Sequence, residues 1–571
     1  MMRKAMMMLA RLRRPLLMTS MTSMTAIVLS LALTGIVASA QRGGRGGGAG
    51  EPPTPSLNLP SNPRLDALKQ ELVADIESRR VFTQQMVDSI FSYSELGFQE
   101  TETQRYVTDI LVREGFEVQR GVAGVPTSWI GKYGSGHPII ALGTDIDGLP
   151  TTNQTPGVVT RKELVAGAPG HGEGHNAGQA LIVTAALALK KIMDREKLPG
   201  TILMWPGVAE EALGTKAHFV RGGIFKDVDA VLFTHVGSNL GTNWGTGGGT
   251  GMVSVEYNFT GQSSHAAAAP WAGKSALDAV ELMDIAWNFK REHLRIQQRS
   301  HYVISHGGDQ PNVVPPFASV WYYFRELDYD HIKELWELGD TMAKAAAMMT
   351  GTTVESRVLG SAWPQHGNRP IAQAMHANIQ QVGMPQWSDA DQQFARAFQR
   401  AQGEPERGLA TTVSQTLGGR VSIPDSEQTG GASDDIGDIM WSVPTVRLSF
   451  PSNIPGATGH HWTSAISMAT PVAHKGATQA AKVEAMTALD LLMQPQLVTA
   501  ARDYFNDVQE APKKYKPLLR PEDKPATWLN KDTMDRFRPE LRKFYYDPTK
   551  YKSYLEQLGI AYPPPMPPAK Q

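Results

Sequence analysis

Apolar residues along this chain follow two rhythms, and the change from one to the other marks out its architecture. Over 65–90 and 103–114 they recur at helical spacing, while 139–142, 202–205, 230–233 and 446–450 are short, mainly apolar runs. A strand that is apolar on both faces must be covered on both. Such runs between helices therefore predict an α/β domain, a mostly parallel sheet with helices on both faces. Between the third and fourth runs the period drops to two: Val253, Val255, Tyr257 and Phe259 alternate with polar neighbours. Helical spacing follows over 276–294, strand-like segments at 302–305 and 318–324, a second helix over 331–349 and a last strand at 352–358. That order, β-α-β-β-α-β, predicts an inserted α+β domain of split βαβ, ferredoxin-like type. The expected boundaries are 62–250 and 361–511 for the two parts of the main domain and 251–360 for the insert. A basic, aromatic C-terminal extension over 512–571 carries one helix at 532–544 and is expected to pack on the main domain. The glycine run GTNWGTGGGTG (241–251) leads into the period-two strand. A phosphate-binding loop would lead into a helix, so the run reads as a hinge.

Residues 1–40 differ from the rest. Arg3, Lys4, Arg11, Arg13 and Arg14 precede an apolar run over 26–37 that ends in Ala38-Ser39-Ala40, the layout of an export signal. Cleavage after Ala40 is expected, giving a periplasmic or extracellular protein with no stable membrane insertion; N-terminal sequencing that finds Met1 on the exported chain would defeat it. A twin-arginine route through Arg13-Arg14 is the alternative to the general secretion route. Residues 41–61, rich in Gly and Pro, cannot bury enough apolar surface to order themselves and read as a disordered linker. With 55 basic and 56 acidic side chains the net charge is -1, which does not favour nucleic acid or another polyanion as partner. The chain has no cysteine. Disulfides and thiolate chemistry are thereby excluded, and any metal must be held by histidine and carboxylate.

Each of the four apolar runs ends in polar groups of one kind. The first is followed by Asp145 and Asp147, the second by Glu210 and Glu211, the third by His235, and the fourth leads to His460 and His461. The loop GHGEGHN (170–176) adds His171, Glu173 and His175, separated by glycines. In an open parallel sheet, ligands bind beyond the carboxyl ends of the strands. Taken singly, a histidine or a Glu-Glu pair there is ordinarily a hydrogen-bonded or solvated loop residue. Four such endings on one edge, joined by an H-x-E-x-H loop, form a metal-binding constellation instead. Two divalent ions bridged by a carboxylate can acidify a water and polarise a carbonyl oxygen. Histidine and carboxylate without thiolate suit zinc, manganese or cobalt. No G-x-S-x-G elbow occurs, so a serine hydrolase of that type is set aside.

These residues resemble the di-zinc exopeptidase and amidohydrolase family that includes aminoacylase, glutamate carboxypeptidase and the plant indole-acetyl-amino-acid hydrolases. Within it the nearest likeness is to the p-aminobenzoyl-glutamate hydrolase branch. The likeness covers about 81–493 and includes SELGFQE (94–100), DIDGLP (145–150), GHGEGHN, PGVAEEALGTKAHFVRGG (206–223), SSHAAAAPWAGKSALDAVELM (263–283), GGDQPNVVP (307–315), SDDIGD (433–438) and HHWT (460–463). It implies metal ligands at Glu173, His175, Glu211, His235 and His460 for two divalent ions per subunit, zinc first, with manganese or cobalt as alternatives. It implies Glu210 as the general base that moves a proton from water to the leaving amine. Asp147 matches a strand-end aspartate that bridges the metals or supports their ligands from behind, and His171 reads as a structural or supporting group. The insert resembles the family's lid and dimerisation domain. A homodimer is implied, in which His265 reaches the other subunit's site and stabilises an oxyanion, while Asn312 and Arg325 hold substrate.

The implied activity is hydrolysis of the amide bond of N-acyl or aroyl amino acids, or of small dipeptides, with a free carboxylate. A catalytically silent binding or scaffold protein of the same fold is the alternative, and would bind fewer than two ions per chain. Two departures stand out. Amidohydrolase relatives generally carry Cys where this chain has Glu173, the peptidase branches use an Asp bridge, and the insert over 381–428 with the long tail is extra.

Overall fold

The computed structural model describes residues 57, 59–246, 249–422 and 430–568. The expected export signal and most of the linker lie outside the described residues. The four apolar runs form strands β3 (Ile139–Asp145), β4 (Gly200–Gly207), β5 (Ala230–Gly237) and β13 (Thr445–Pro451), parallel and in the order β4-β3-β5-β13. Short antiparallel strands β1 (Glu117–Arg120) and β2 (Trp129–Ser135) widen the sheet beyond β4. On the other side β13 pairs with β6 (Gly241–Thr246), which also pairs with β11 (His366–Gly367) and β12 (Gly418–Arg420). The first half of the glycine run is therefore a strand inside the sheet rather than a hinge. Its small side chains allow the sheet to continue where bulkier ones would have announced a strand, and residues 247–248 of the run lie outside the described residues.

Helix His175–Glu196 supplies the crossover from β3 to β4 and buries nearly all its residues. Helix Pro471–Met493, almost as apolar, packs on it and on β13. One residue of that second helix breaks the pattern. Glu484 is fully buried, and neither carboxylate oxygen has a hydrogen-bond partner among the described residues. Burial raises its carboxyl to about 8. An acid whose folded pKa is raised contributes full stability below its ordinary range and loses it as pH rises through the folded value, at about 1.4 kcal/mol per unit. Glu484→Met is expected to raise the melting temperature much more at pH 9 than at pH 5; equal shifts at both would disprove the assignment.

The insert has its own sheet. Strand β7 (Gly251–Thr260), helix Ala276–Lys290, β8 (Arg299–His306), β9 (Phe317–Glu326), helix Tyr329–Thr350 and β10 (Thr353–Ala362) follow in the expected β-α-β-β-α-β order. The sheet is antiparallel throughout, in the order β10-β7-β9-β8. Its inward residues are those of the period-two pattern, Val253, Val255, Tyr257 and Phe259, packed with Trp287, Tyr322 and Phe324 in a core separate from that of the main sheet. The first helix stops at Lys290, with a 3₁₀ turn Arg291–His293 after it, four residues short of the expected end at 294. Strand β8 is an edge, and it exposes Val303 and Ile304 beside Ile285 and Phe289 of the first helix.

The C-terminal extension packs along the molecule and touches both sheets' domains. Tyr515 donates to Asp438 at 2.7 Å, while Arg520 donates to the carbonyl of Ser356 on β10 at 2.8 Å. Its helix, Lys531–Leu541, buries Met534 and Leu541 against Leu96 and Ala168.

Candidate metal centre

The centre is assembled beyond the carboxyl ends of β3, β4 and β5. His175 is the first residue of its helix, after Gly174 at φ 71°. A side chain at 174 would be strained by that left-handed backbone and would also meet Val236 at 2.8 Å, so the loop needs this glycine. The His175 Nδ1–H donates to the carbonyl of Asp147 at 2.8 Å, which fixes the ring and turns Nε2 toward the acids. His235 is held in the same way: its Nδ1 lies 3.1 Å from the carbonyl of Val236, leaving Nε2 on the cluster side. Asp147 accepts the backbone N–H groups of Glu210 at 3.1 Å and Glu211 at 3.2 Å, so one buried carboxylate orients the whole Glu-Glu turn.

Ligand-type atoms of Asp145, His175 and His235, and of His175, Glu210 and Glu211, lie within 4.8 Å of one another. Glu211 also faces outward, with Oε2 3.4 Å from His460 Nε2, and His460 Nε2 is 3.7 Å from Glu173 Oε1. Glu211 thus stands between an inner group, His175 and His235, and an outer group, Glu173 and His460. All five residues singled out as ligands are brought together. His171 is not among them: it is buried behind the loop, with Nε2 3.1 Å from the carbonyl of Ile90.

The donor set fits divalent cations. His175 Nε2 and Glu211 Oε1 are buried with no hydrogen-bond partner among the described residues, an arrangement that costs free energy unless something positive is bound. Burial raises Glu211 well above the usual carboxylate range, only partly offset by His175. Burial likewise raises Glu210, reinforced by Asp145 and Asp434. In His175 burial opposes the charge, yet Asp147, Asp145 and Glu211 push the ring up to about 10. Burial and the Arg447 charge lower His235, which keeps its imidazole neutral and able to bind metal.

Beneath this group lies a feature the sequence did not announce. Lys216, wholly buried, sits 2.6 Å from Asp145 and 3.5 Å from Asp434, and pairs closely with Asp435. Burial opposes its charge, but Asp145, Asp435 and Asp434 hold it protonated well above the usual lysine range. Asp145, although near the inner histidines, is therefore engaged by an ammonium group. Glu210 has no ion pair with a lysine or arginine among the described residues.

A cavity of about 500 Å³ opens over the cluster, lined by Glu173, Glu210, Glu211, His235 and His460 on one side and by Arg325 and Arg447 on another. Arg325 comes from β9 and lies over the Tyr323 ring, with a buried Nε that has no hydrogen-bond partner among the described residues. Arg447, which sequence reasoning missed because it sits in an apolar run, approaches Asp434 only at 3.8 Å. Its guanidinium makes no hydrogen bond among the described residues. His265 and Asn312 do not line this cavity. They lie exposed and adjacent on the insert, where the carbonyl of Asn312 accepts the N–H of Ala266 at 3.0 Å. His265 Nδ1 accepts the N–H groups of Ala267 at 3.2 Å and Ala268 at 3.1 Å, so its proton is on Nε2, pointing outward.

Known proteins resemble this chain in sequence and in fold. A model of the peptidase dimerisation domain matches residues 248–348, which covers most of the insert. The chain is similar to one of the subunits of p-aminobenzoyl-glutamate hydrolase from Escherichia coli strain K12, at 30% identity over 462 residues, 78% of this chain and 96% of that protein. It is similar to the mouse Xaa-Arg dipeptidase at 26% identity, over 59% of this chain and 70% of that protein. A crystal structure from methicillin-resistant Staphylococcus aureus, assigned as an aminohydrolase, shares the fold with a TM-score of 0.52 at 17% identity, covering 74% of this chain and 100% of that one.

Proposed function

Since the chain belongs to the M20 family of metallopeptidases and amidohydrolases, in the p-aminobenzoyl-glutamate hydrolase branch, we propose that it cleaves N-acyl or N-aroyl amino acids, or small dipeptides, at a free carboxylate. It is a hydrolase acting on amide bonds. The observation that carries the finer reading is the pairing of an unpartnered ligand set with two under-used guanidinium groups across one cavity.

Glu173, His175, Glu211, His235 and His460 would hold two divalent ions. Bound there, the ions would supply an acidified water and a polarised carbonyl. Glu210, buried 3.9 Å from His175 Nε2 and unpaired with any lysine or arginine among the described residues, takes the water's proton and passes it to the leaving nitrogen. Arg325 and Arg447 offer planar pairs of N–H donors to the substrate carboxylate. Hydrolysis of a panel of acylated and aroylated amino acids by chain reconstituted with zinc, manganese or cobalt tests the reading; two ions bound and no amide cleaved would overturn it.

Among the described residues His265 pairs with no acid or arginine of its own chain's cleft, yet it presents an exposed Nε2–H suited to an oxyanion. A homodimer joined along β8 and helix Ala276–Lys290, whose exposed apolar residues need cover, delivers it to the partner's cleft. Co-expressing His265→Ala with Glu210→Gln is then expected to restore activity that neither variant has alone, because one site of the mixed dimer keeps both groups. Silence of the mixture would rule out the shared site.

A further inference from the structure

The longest-range contacts converging on the metal centre come from the C-terminal extension, through a single intermediary. Arg538, on helix Lys531–Leu541, pairs with the wholly buried Glu95 and donates from Nη2 to the carbonyl of Gln99 at 2.7 Å. Asn530 donates to the carbonyl of Gly97 at 3.0 Å, and Gln99 donates back to the carbonyl of Leu529 at 2.9 Å. Loop 94–100 is thus clamped to the extension at successive residues.

The opposite side of the same loop holds the turns that carry the ligands. The carbonyl of Glu95 accepts the N–H of Gly148 at 2.7 Å, next to Asp147. Gly97 lies so close that a Cβ there would sit 2.7 Å from Ala209 Cα and 3.1 Å from an Asp147 carboxylate oxygen. Glu100 accepts the N–H of Ala209 at 2.9 Å. Ala209 has φ 52°, a left-handed backbone that side-chain-bearing residues adopt reluctantly, and it immediately precedes Glu210 and Glu211. Something must hold it there, and loop 94–100 does.

The geometry points to Arg538 as a positioning residue for the metal centre: by fixing loop 94–100 against the Asp147 and Ala209 turns, the extension sets the spacing of Glu210, Glu211 and His175. This role rests on the two-ion reading of the site. A plainer role is neutralisation of buried Glu95, but that carboxylate already accepts the N–H groups of Glu102 at 3.0 Å and Thr103 at 2.8 Å. The second arm of Arg538, on the Gln99 carbonyl, does nothing for Glu95 and holds the loop itself.

Full-length Arg538→Ala should be compared with wild type by chelator competition for zinc, by kcat and KM, and by hydrogen exchange of 145–149 and 208–213 in the metal-free chain. Residues that orient metal ligands are worth about 10- to 100-fold in affinity, and a loss of that size is expected. The fall in kcat should exceed the rise in KM, with faster exchange at both turns and partial recovery in Arg538→Lys. Arg542→Ala, which removes an exposed pair with Glu102 from the same stretch, should match wild type. If Arg538→Ala fails to fold, Asn530→Gly is the milder variant, expected to show the same pattern at smaller size. A variant that folds and melts lower yet keeps wild-type zinc affinity and exchange would overturn the positioning role alone. A wild-type chain that binds no ion would overturn the site reading and this role together.

Discussion

Glu210→Gln is expected to lower turnover by at least about a hundredfold, since general acid-base catalysis is typically worth 10² to 10⁴, while both ions remain bound. The substitution keeps the shape of the side chain and removes only its capacity to take a proton. The turn stays in place because Asp147 grips the backbone N–H groups of Glu210 and Glu211, not the Glu210 side chain. Neither Arg325 nor Arg447 is disturbed, so KM should change little, and the loss should appear in kcat. Metal analysis of the same sample separates this from loss of an ion. Turnover within tenfold of wild type, with two ions present, would move the base elsewhere in the cleft.

Lys216→Met is expected to cost about 3–5 kcal/mol of folding free energy, the usual consequence of removing one partner from a buried ionic group. Asp145, Asp434 and Asp435 would be left facing one another without a cation. The sign of the pH dependence follows from these acids. Burial raises Asp145 to about 7 and raises Asp435, while Asp434 is lowered because the Lys216 and Arg447 charges outweigh its burial. Without Lys216 the aspartates favour the protonated form still more, so the deficit should be smallest near pH 5 and widen as pH rises through 7. Urea unfolding of metal-free chains at both pH values measures it. A deficit that shrinks with rising pH would contradict the assignment.

The parallel core was legible because β3, β4 and β5 are covered on both faces, which forces apolar runs, and the insert because a half-buried sheet forces alternation. Strands β1, β6, β11 and β12 were not legible. They are two to six residues long, too short to establish a period. The candidate ligands could be seen since strand ends concentrate them. Lys216 and Arg447 could not, because a lysine in a short helix and an arginine in a strand look solvated until the fold puts aspartates beside them. The packing of the extension on the main domain was expected from its composition, but its grip on loop 94–100 joins residues 443 positions apart, a separation at which sequence carries no local pattern.

That separation also orders the assembly of the molecule in time. Loop 94–100 is made 443 residues before Arg538; at about 5–20 residues per second the interval is roughly 20–90 s. During it the Ala209 turn has no Arg538 to brace its partner loop, and the ligand cage lacks its final fastening. On the positioning role proposed for Arg538, a copy cut before the extension would gather the same histidines and carboxylates without the brace that sets their distances.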